Sequence, residues 1–352
     1  MRFLPAAVPL LLDWYHTNRR DLPWRESCDP YRVLVSEIML QQTRAETVKP
    51  YYRRFLEVLP TVQALAAADE ATLYKLWEGL GYYSRVRNLQ KAARVVVEKH
   101  GGMIPADFDA LLALPGVGRY TAGAVASIAF GIPVPAVDGN VLRVMARLSG
   151  DDTDILSPAA KKSAEEAIAP VVPADRAGDF TQSLIELGAL VCLPGPSPRC
   201  GECPLRLLCE AERTGKQGEL PVRIPKTKRR VEARTVLVIR LPDGRVSLQK
   251  RPAEGLLAGL YEFPCLAGHA AEDTVRDYIA ACGLTCGRIT PLPAAKHLFS
   301  HIEWQMTGYA VDVEDDTPAG CASEWLLATP AELDGYYALP SAYAAYRPYC
   351  FP

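Results

Sequence analysis

Apolar residues recur every three or four positions along most of the first two-thirds of the chain. Val86, Leu89, Ala93 and Val96 follow Ser84, a suitable N-cap, and Gly101-Gly102 stops the run. Val48, Tyr52, Phe55 and Leu59 make a second apolar face, and Ala122, Val125, Ala126 and Ala129 a stripe of small residues that lets a neighbouring helix come close. This periodicity predicts helices joined by short loops over residues 7–210, with the stripes as core.

The texture changes after Cys209. Residues 211–233 are polar and carry the basic group Arg223, Lys226, Lys228, Arg229 and Arg230, which reads as a linker lying near phosphate. Arg234–Leu241 is strand-like, Asp243-Gly244 a hairpin turn, and Val246–Lys250 the returning strand. A helix is expected over Glu272–Ala281, a strand over Trp304–Val313, and irregular chain from Pro340. The expected organisation is a helical domain over 1–215, a basic linker over 216–233 and an α+β domain over 234–352. A chain of 352 residues can build two ordinary cores.

Composition adds a soluble globular character: 49% of residues are hydrophobic and 23% charged. No apolar run reaches the roughly 18 residues that span a bilayer, and no secretory signal is recognisable. The net charge of −2 speaks weakly against a nucleic-acid partner, but residues 302–352 hold eight acids against Arg347 alone. The first 301 residues therefore carry a net +5. It is the local field that steers a polyanion, although an excess this modest is also ordinary surface.

Three segments carry chemistry. Cys192, Cys200, Cys203 and Cys209 place four soft ligands within eighteen positions, enough to wrap a metal centre; the other six cysteines read as free or buried thiols. Leu114-Pro-Gly-Val-Gly-Arg-Tyr120 joins two helices. Gly116 and Gly118 let the backbone approach a ligand, and the amides opening the next helix suit a phosphate; the plain alternative is a tight turn. Glu37, in Ser36-Glu-Ile-Met-Leu-Gln-Gln-Thr43, has apolar neighbours on nearly every side, and burial would raise its pKa; the alternative is an acid on a solvated helix face. Asp138, in Ala136-Val-Asp-Gly-Asn-Val141, is either a simple N-cap or a carboxylate facing a cation that develops on a sugar.

Together with Asp21–Arg25, Trp77–Asn88, Ile185–Ala189 and Phe299-Ser-His301, these segments resemble the MutY family of adenine DNA glycosylases, in the helix–hairpin–helix superfamily. The resemblance implies an all-α helix–hairpin–helix glycosylase domain with an iron–sulfur cluster loop, and an α+β, Nudix-like C-terminal domain. It implies removal of adenine mispaired with 8-oxoguanine or guanine. Glu37 would be the general acid at adenine N7, Asp138 the stabiliser of the oxocarbenium-like sugar, and Tyr120 and Asn140 would order the pocket. Gln42 and Tyr82 would enter the base stack, Gly116, Gly118 and Arg119 would hold the backbone, and Ser300 and His301 would read the lesion. Bifunctional relatives similar to endonuclease III carry a lysine where Tyr120 stands, so strand cleavage through a Schiff base is not expected.

The four cysteines imply a [4Fe–4S] cluster, although seven residues separate Cys192 from Cys200 where the family has six; the extra residue can bulge outward. Four-thiolate zinc fits the same count. The Nudix-like helix has one acid, Asp277, over Thr274–Cys282, too few to hold a catalytic divalent metal. The expected partner is duplex DNA bearing an 8-oxoguanine:adenine mispair, bound by a monomer with no membrane role, in a bacterial cytoplasm beside the nucleoid. Two rival functions are a glycosylase of other base preference and a noncatalytic DNA-binding scaffold.

Overall fold

The computed structural model describes residues 1–224, 229–315 and 324–351. They form two compact units, Met1–Ala67 with Arg85–Pro225 and Ala68–Ser84 with Lys226–Pro352. In chain order the helices are α1 Ala7–Asn18, α2 Pro30–Leu40, α3 Ala45–Val58, α4 Val62–Ala67, α5 Glu70–Trp77, α6 Ser84–Lys99, α7 Phe108–Leu112, α8 Arg119–Phe130, α9 Gly139–Ser149, α10 Pro158–Ile168, α11 Ala177–Leu190 and α12 Glu210–Arg213.

The first unit is all-helical. Leu11 and Leu12 of α1, Val141 and Met145 of α9, and Phe180 and Leu184 of α11 meet in its core. The small-residue stripe on α8 is buried at Ala122, Val125 and Ala126, and α8 packs against both α2 and α11. Asp29, Asp138 and Ser157 accept amide hydrogen bonds at the starts of α2, α9 and α10, each worth about 1 kcal/mol.

The second unit is α+β. Its strands are β1 Arg230–Arg240, β2 Val246–Lys250, β3 Tyr261–Glu262, β4 Cys265–Ala267, β5 Cys286–Leu298, β6 Ile302–Val313 and β7 Leu326–Ala328, with helices α13 Glu272–Ala281 and α14 Pro330–Gly335. The sheet runs β3-β2-β1-β6-β5, with β4 also on β1 and β7 on β2. β1 and β6 are parallel from Arg230↔Ile302 to Arg240↔Asp312. Both faces of β1 are covered, which is why Thr235–Ile239 reads as an unbroken buried run. Val236 and Val238 pack with Trp304, Tyr343 and Tyr346, whereas Leu237 and Ile239 pack with Val275 and Ile279 of α13.

The structure departs from the sequence reading in several places. β5 is missing from that reading because it is an edge strand, largely exposed and interrupted by Pro291 and Pro293, so it shows no apolar alternation. By contacts the second compact unit takes in residues 68–84, where Lys250 pairs with Glu70 at 3.2 Å and the Leu339 amide donates to Glu78 at 3.0 Å. Past Pro340 the chain forms short 3-10 turns that bury Tyr343 and Tyr346. Cys282 is in a disulfide, whereas Cys28, Cys265, Cys286 and Cys350 are thiols. Lys226, Lys228 and Cys321 lie outside the described residues. Among the described residues no helix is long and apolar enough to cross a membrane.

Candidate active site

Helix α2 places the first acid. Asp29 caps it by accepting the Arg32 amide at 2.8 Å, and Pro30 opens it with a fixed φ. Seven of the helix's other residues are buried, so Glu37 enters the interior with them and is only 6% exposed. Its carboxylate accepts a 2.7 Å hydrogen bond from the Tyr120 hydroxyl of α8. Burial lifts its pKa to about 7; the Tyr120 hydrogen bond and Arg25 oppose this and the Asp138 charge adds to it. Of the two sequence readings of Glu37, the buried acid is the one observed.

Asp138 opens α9. Its Oδ1 accepts the Val141 amide and its Oδ2 the Asn140 side-chain amide, both at 2.8 Å. It is therefore an N-cap, but it also lines the cavity that Glu37, Tyr120 and Asn140 line, a space of about 920 Å³. The N-cap is therefore observed, together with a place on the cavity wall. Burial raises its pKa as well, but donors on both oxygens oppose the shift, whereas Glu37 has the single Tyr120 donor to favour its anion. Asn140 is fixed in turn: Arg143 donates to its Oδ1 at 2.9 Å and to the Gly188 and Cys192 carbonyls at 2.7 Å each. Gly188 must be glycine, since a Cβ there would stand 2.6 Å from that of Asn140.

The sequence matched the segments that hold Arg25 and Glu186 to the family but gave neither residue a role. Arg20 and Arg25 both grip Glu186 of α11, at 2.8 and 2.9 Å, with the carboxylate fully buried. Burial alone would raise the Glu186 pKa, but the two arginines outweigh it and hold the group near 2. Glu186→Gln would leave two cations facing a neutral amide, one of them partly solvated. Urea unfolding at pH 7 should show a loss of roughly 3 kcal/mol. The folded pKa lies below the unfolded one, so the contribution is present above about 4.5 and fades as pH falls toward 2. The gap between variant and parent should therefore close in acid.

The hairpin between α7 and α8 has the expected geometry. Gly116 sits at φ +76°, where a Cβ would come within 2.5 Å of the Asn88 side chain. Gly118 caps α8 without any side-chain acceptor, which leaves the first amides of α8 for an external anion. Arg119 stands on that helix end with its guanidinium over the Phe108 ring and paired with Glu165 at 3.1 Å. Gln42 is exposed, on the cavity wall, and holds φ +58°.

A helical unit with one neutral-leaning and one donor-rich carboxylate in a shared cavity, and a glycine hairpin opening a helix whose first amides have no side-chain cap, suits base excision. The comparisons agree. A family model described as HhH-GPD superfamily base excision DNA repair protein matches residues 35–170, and one described as NUDIX domain matches 235–346. The human and mouse adenine DNA glycosylases are each 36% identical, over 88% and 90% of this chain and 67% and 73% of their own. The chain belongs to the adenine DNA glycosylase family. A solved non-covalent endonuclease III–DNA complex is similar to the helical part, at 28% identity and a TM-score of 0.50, covering 60% of this chain and 98% of that one. This chain is thus a base-excision glycosylase with an added Nudix domain, and a DNA-bound fold is among its structural relatives.

In the second unit the turn between β5 and β6 holds Phe299 against Trp304, ring centroids 4.8 Å apart, and leaves Ser300 and His301 exposed. His301 is therefore no core histidine. The Tyr82 and Ser300 hydroxyls share a 3.2 Å hydrogen bond, with Tyr82 at φ +51°. Such backbone angles are uncommon in non-glycine residues and gather at functional sites.

Cys192, Cys200, Cys203 and Cys209 are free thiols lining one cavity of the helical unit, with Arg147 donating to the Cys192 sulfur at 3.4 Å. Among the described residues no three His, Cys, Asp or Glu side chains converge closely enough to hold a single ion. Residues 194–197 form an exposed loop, closed at its base by the Arg199 amide on the Val191 carbonyl at 2.9 Å.

Proposed function

We propose that this glycosylase hydrolyses the N-glycosidic bond of adenine mispaired with 8-oxoguanine, or with guanine, in duplex DNA, and leaves the strand uncut. The observation that carries the reading is Glu37: an acid with a pKa lifted to about 7, hydrogen-bonded by Tyr120, in the cavity it shares with Asp138. Such an acid still holds a proton near neutrality.

Adenine must first leave the helix. Extrusion costs a few kcal/mol, less at a mismatch, and side chains that fill the stack offset it. Gln42 and Tyr82 are exposed and conformationally strained, as wedge residues would be. Tyr120 occupies one Glu37 oxygen, which directs the acid's proton from the other oxygen to adenine N7. As the bond from C1′ to N9 breaks, its electron pair goes to the base, which departs neutral. The sugar becomes an oxocarbenium, and Asp138 faces it as an anion or adds briefly to C1′. Glu37, now a carboxylate, takes a proton from water as the hydroxyl joins C1′ on the retained face. With tyrosine rather than lysine at 120 there is no amine to form a Schiff base. A monomer is the proposed active form. Ser300 and His301, presented at a turn where Ser300 shares a hydrogen bond with Tyr82, are suited to the N7–H and O8 edge of the lesion.

Four free thiols around one cavity fit a [4Fe–4S] cluster, which bonds each thiolate to a different iron rather than gathering all four on one point. Bound there, it would cross-link the loop carrying Arg199 and Arg206. Iron content and visible absorbance test this, and zinc in place of iron would overturn it.

The deciding experiment is single-turnover base release from an 8-oxoguanine:adenine duplex, with and without later alkali. Free adenine should appear, and the strand should break only after alkali. Strand breaks before alkali would defeat the Tyr120 argument, and no released base would leave a glycosylase of other base preference or a DNA-binding scaffold.

A further inference from the structure

We infer that Arg85 is a positioning residue that holds Gln42 in the conformation needed to enter the base stack; the inference rests on the wedge reading of Gln42 above. Arg85, near the start of α6, is buried, and its guanidinium reaches the far end of α2. One nitrogen donates to the carbonyls of Ile38, Met39 and Gln41 at 3.0, 2.8 and 2.6 Å, and the other to the Thr43 hydroxyl at 3.3 Å.

The physical need for it is local. α2 ends at Leu40 with no basic residue in its last turn, and its final carbonyls lack intrahelical partners. A cation from another helix satisfies them and meets the negative end of the helix dipole. Two of its contacts, the Gln41 carbonyl and the Thr43 hydroxyl, bracket Gln42 on either side. Gln42 itself sits at φ +58°, a conformation that costs a non-glycine residue about 1–3 kcal/mol and persists only where its surroundings impose it. The clamp imposes it. Only a planar fork reaches both sides of the turn, and a lysine ammonium, a point donor, does not. One turn along α6, Asn88 packs beneath Gly116, so the same helix end also seats the hairpin.

The test is a double-mutant cycle of Arg85→Lys and Gln42→Ala, with rate constants for adenine release measured in single turnover and corrected for the active fraction. Arg85→Met repeats the cycle without a charge. Gln42→Ala and Arg85→Lys should each slow release roughly 10- to 100-fold, as misplacement of a positioning group does. The double variant should be little slower than Gln42→Ala alone. The alkaline midpoint of the rate should not move, because the Glu37 pKa is set first by burial and then by Tyr120, Asp138 and Arg25. A 2-aminopurine beside the target should show less unstacking in Arg85→Lys. If the two losses multiply, or if Arg85→Lys lowers only the active fraction at an unchanged rate constant, Arg85 is merely structural and the inference is overturned. A full rate for Gln42→Ala would instead overturn the wedge reading, and this inference with it.

Discussion

Glutamine at position 37 is expected to slow single-turnover adenine release by roughly 10²–10⁴-fold, the usual worth of a general acid, and at the same time to stabilise the protein. Both effects come from one cause. The cavity wall that strips water from Glu37 makes its charged form costly, and lifts its pKa from 4.5 to about 7. A raised folded pKa means that the native state binds the proton more tightly than the unfolded chain does. The parent is therefore at full stability below about 4.5 and loses it progressively as pH rises to about 7; the total is about 3 kcal/mol at 1.4 kcal/mol per unit. Glutamine fills the same space, accepts the same Tyr120 hydrogen bond and never ionises. Urea unfolding should find the two proteins similar at pH 5 and the variant more stable by up to that amount at pH 8. The parent's release rate should hold through that window and decline only around pH 7, where the folded acid loses its proton. Because Asp138 interacts with Glu37, the observed midpoints belong to the pair. Equal stability of the two proteins at pH 8 would mean that Glu37 ionises without penalty, and the acid role would go with it.

The sequence showed what short periods and local punctuation encode. The α6 stripe ends at its glycines, the β1 run is apolar because both faces are covered, and Asp243-Gly244 turns β1 into β2. It did not show what depends on partners far along the chain. Arg20 and Arg25 meet Glu186 across some 160 positions, and nothing in a window around any of the three distinguishes a buried triad from surface charge. β5 stayed hidden because an edge strand has no inner face to repeat. Residues 68–84 read as another helix of the first domain and lie within the matched glycosylase segment, yet Glu70 and Glu78 meet Lys250 and the Leu339 amide, partners that helical periodicity cannot encode. At Asp138 local sequence left two roles open because capping a helix and facing a cavity ask for the same short carboxylate.

Those two roles separate by substitution, and the outcome there should be the more severe. Asparagine and serine both cap helices about as well as aspartate, so Asp138→Asn and Asp138→Ser should unfold within about 1 kcal/mol of the parent. Neither carries the negative charge. Preorganised electrostatic groups are worth about 10²–10³-fold each, and here the full charge facing the sugar is lost, so release should slow by at least ~10³-fold in both variants. Asparagine adds a second fault. If its oxygen keeps the Val141 amide, its NH₂ meets the NH₂ of Asn140, which must turn and give up the Arg143 hydrogen bond to its Oδ1. Serine avoids that conflict and still lacks the anion, so the pair separates lost charge from disturbed geometry. Both variants should bind the mispaired duplex nearly as tightly as the parent, because the hairpin amides and the exposed side chains of the DNA-facing surface are untouched. Gel-shift titration beside single-turnover kinetics reads both quantities on one preparation. A serine variant that released adenine at close to the parental rate would reduce Asp138 to a helix cap, and the oxocarbenium would have no anion to face it.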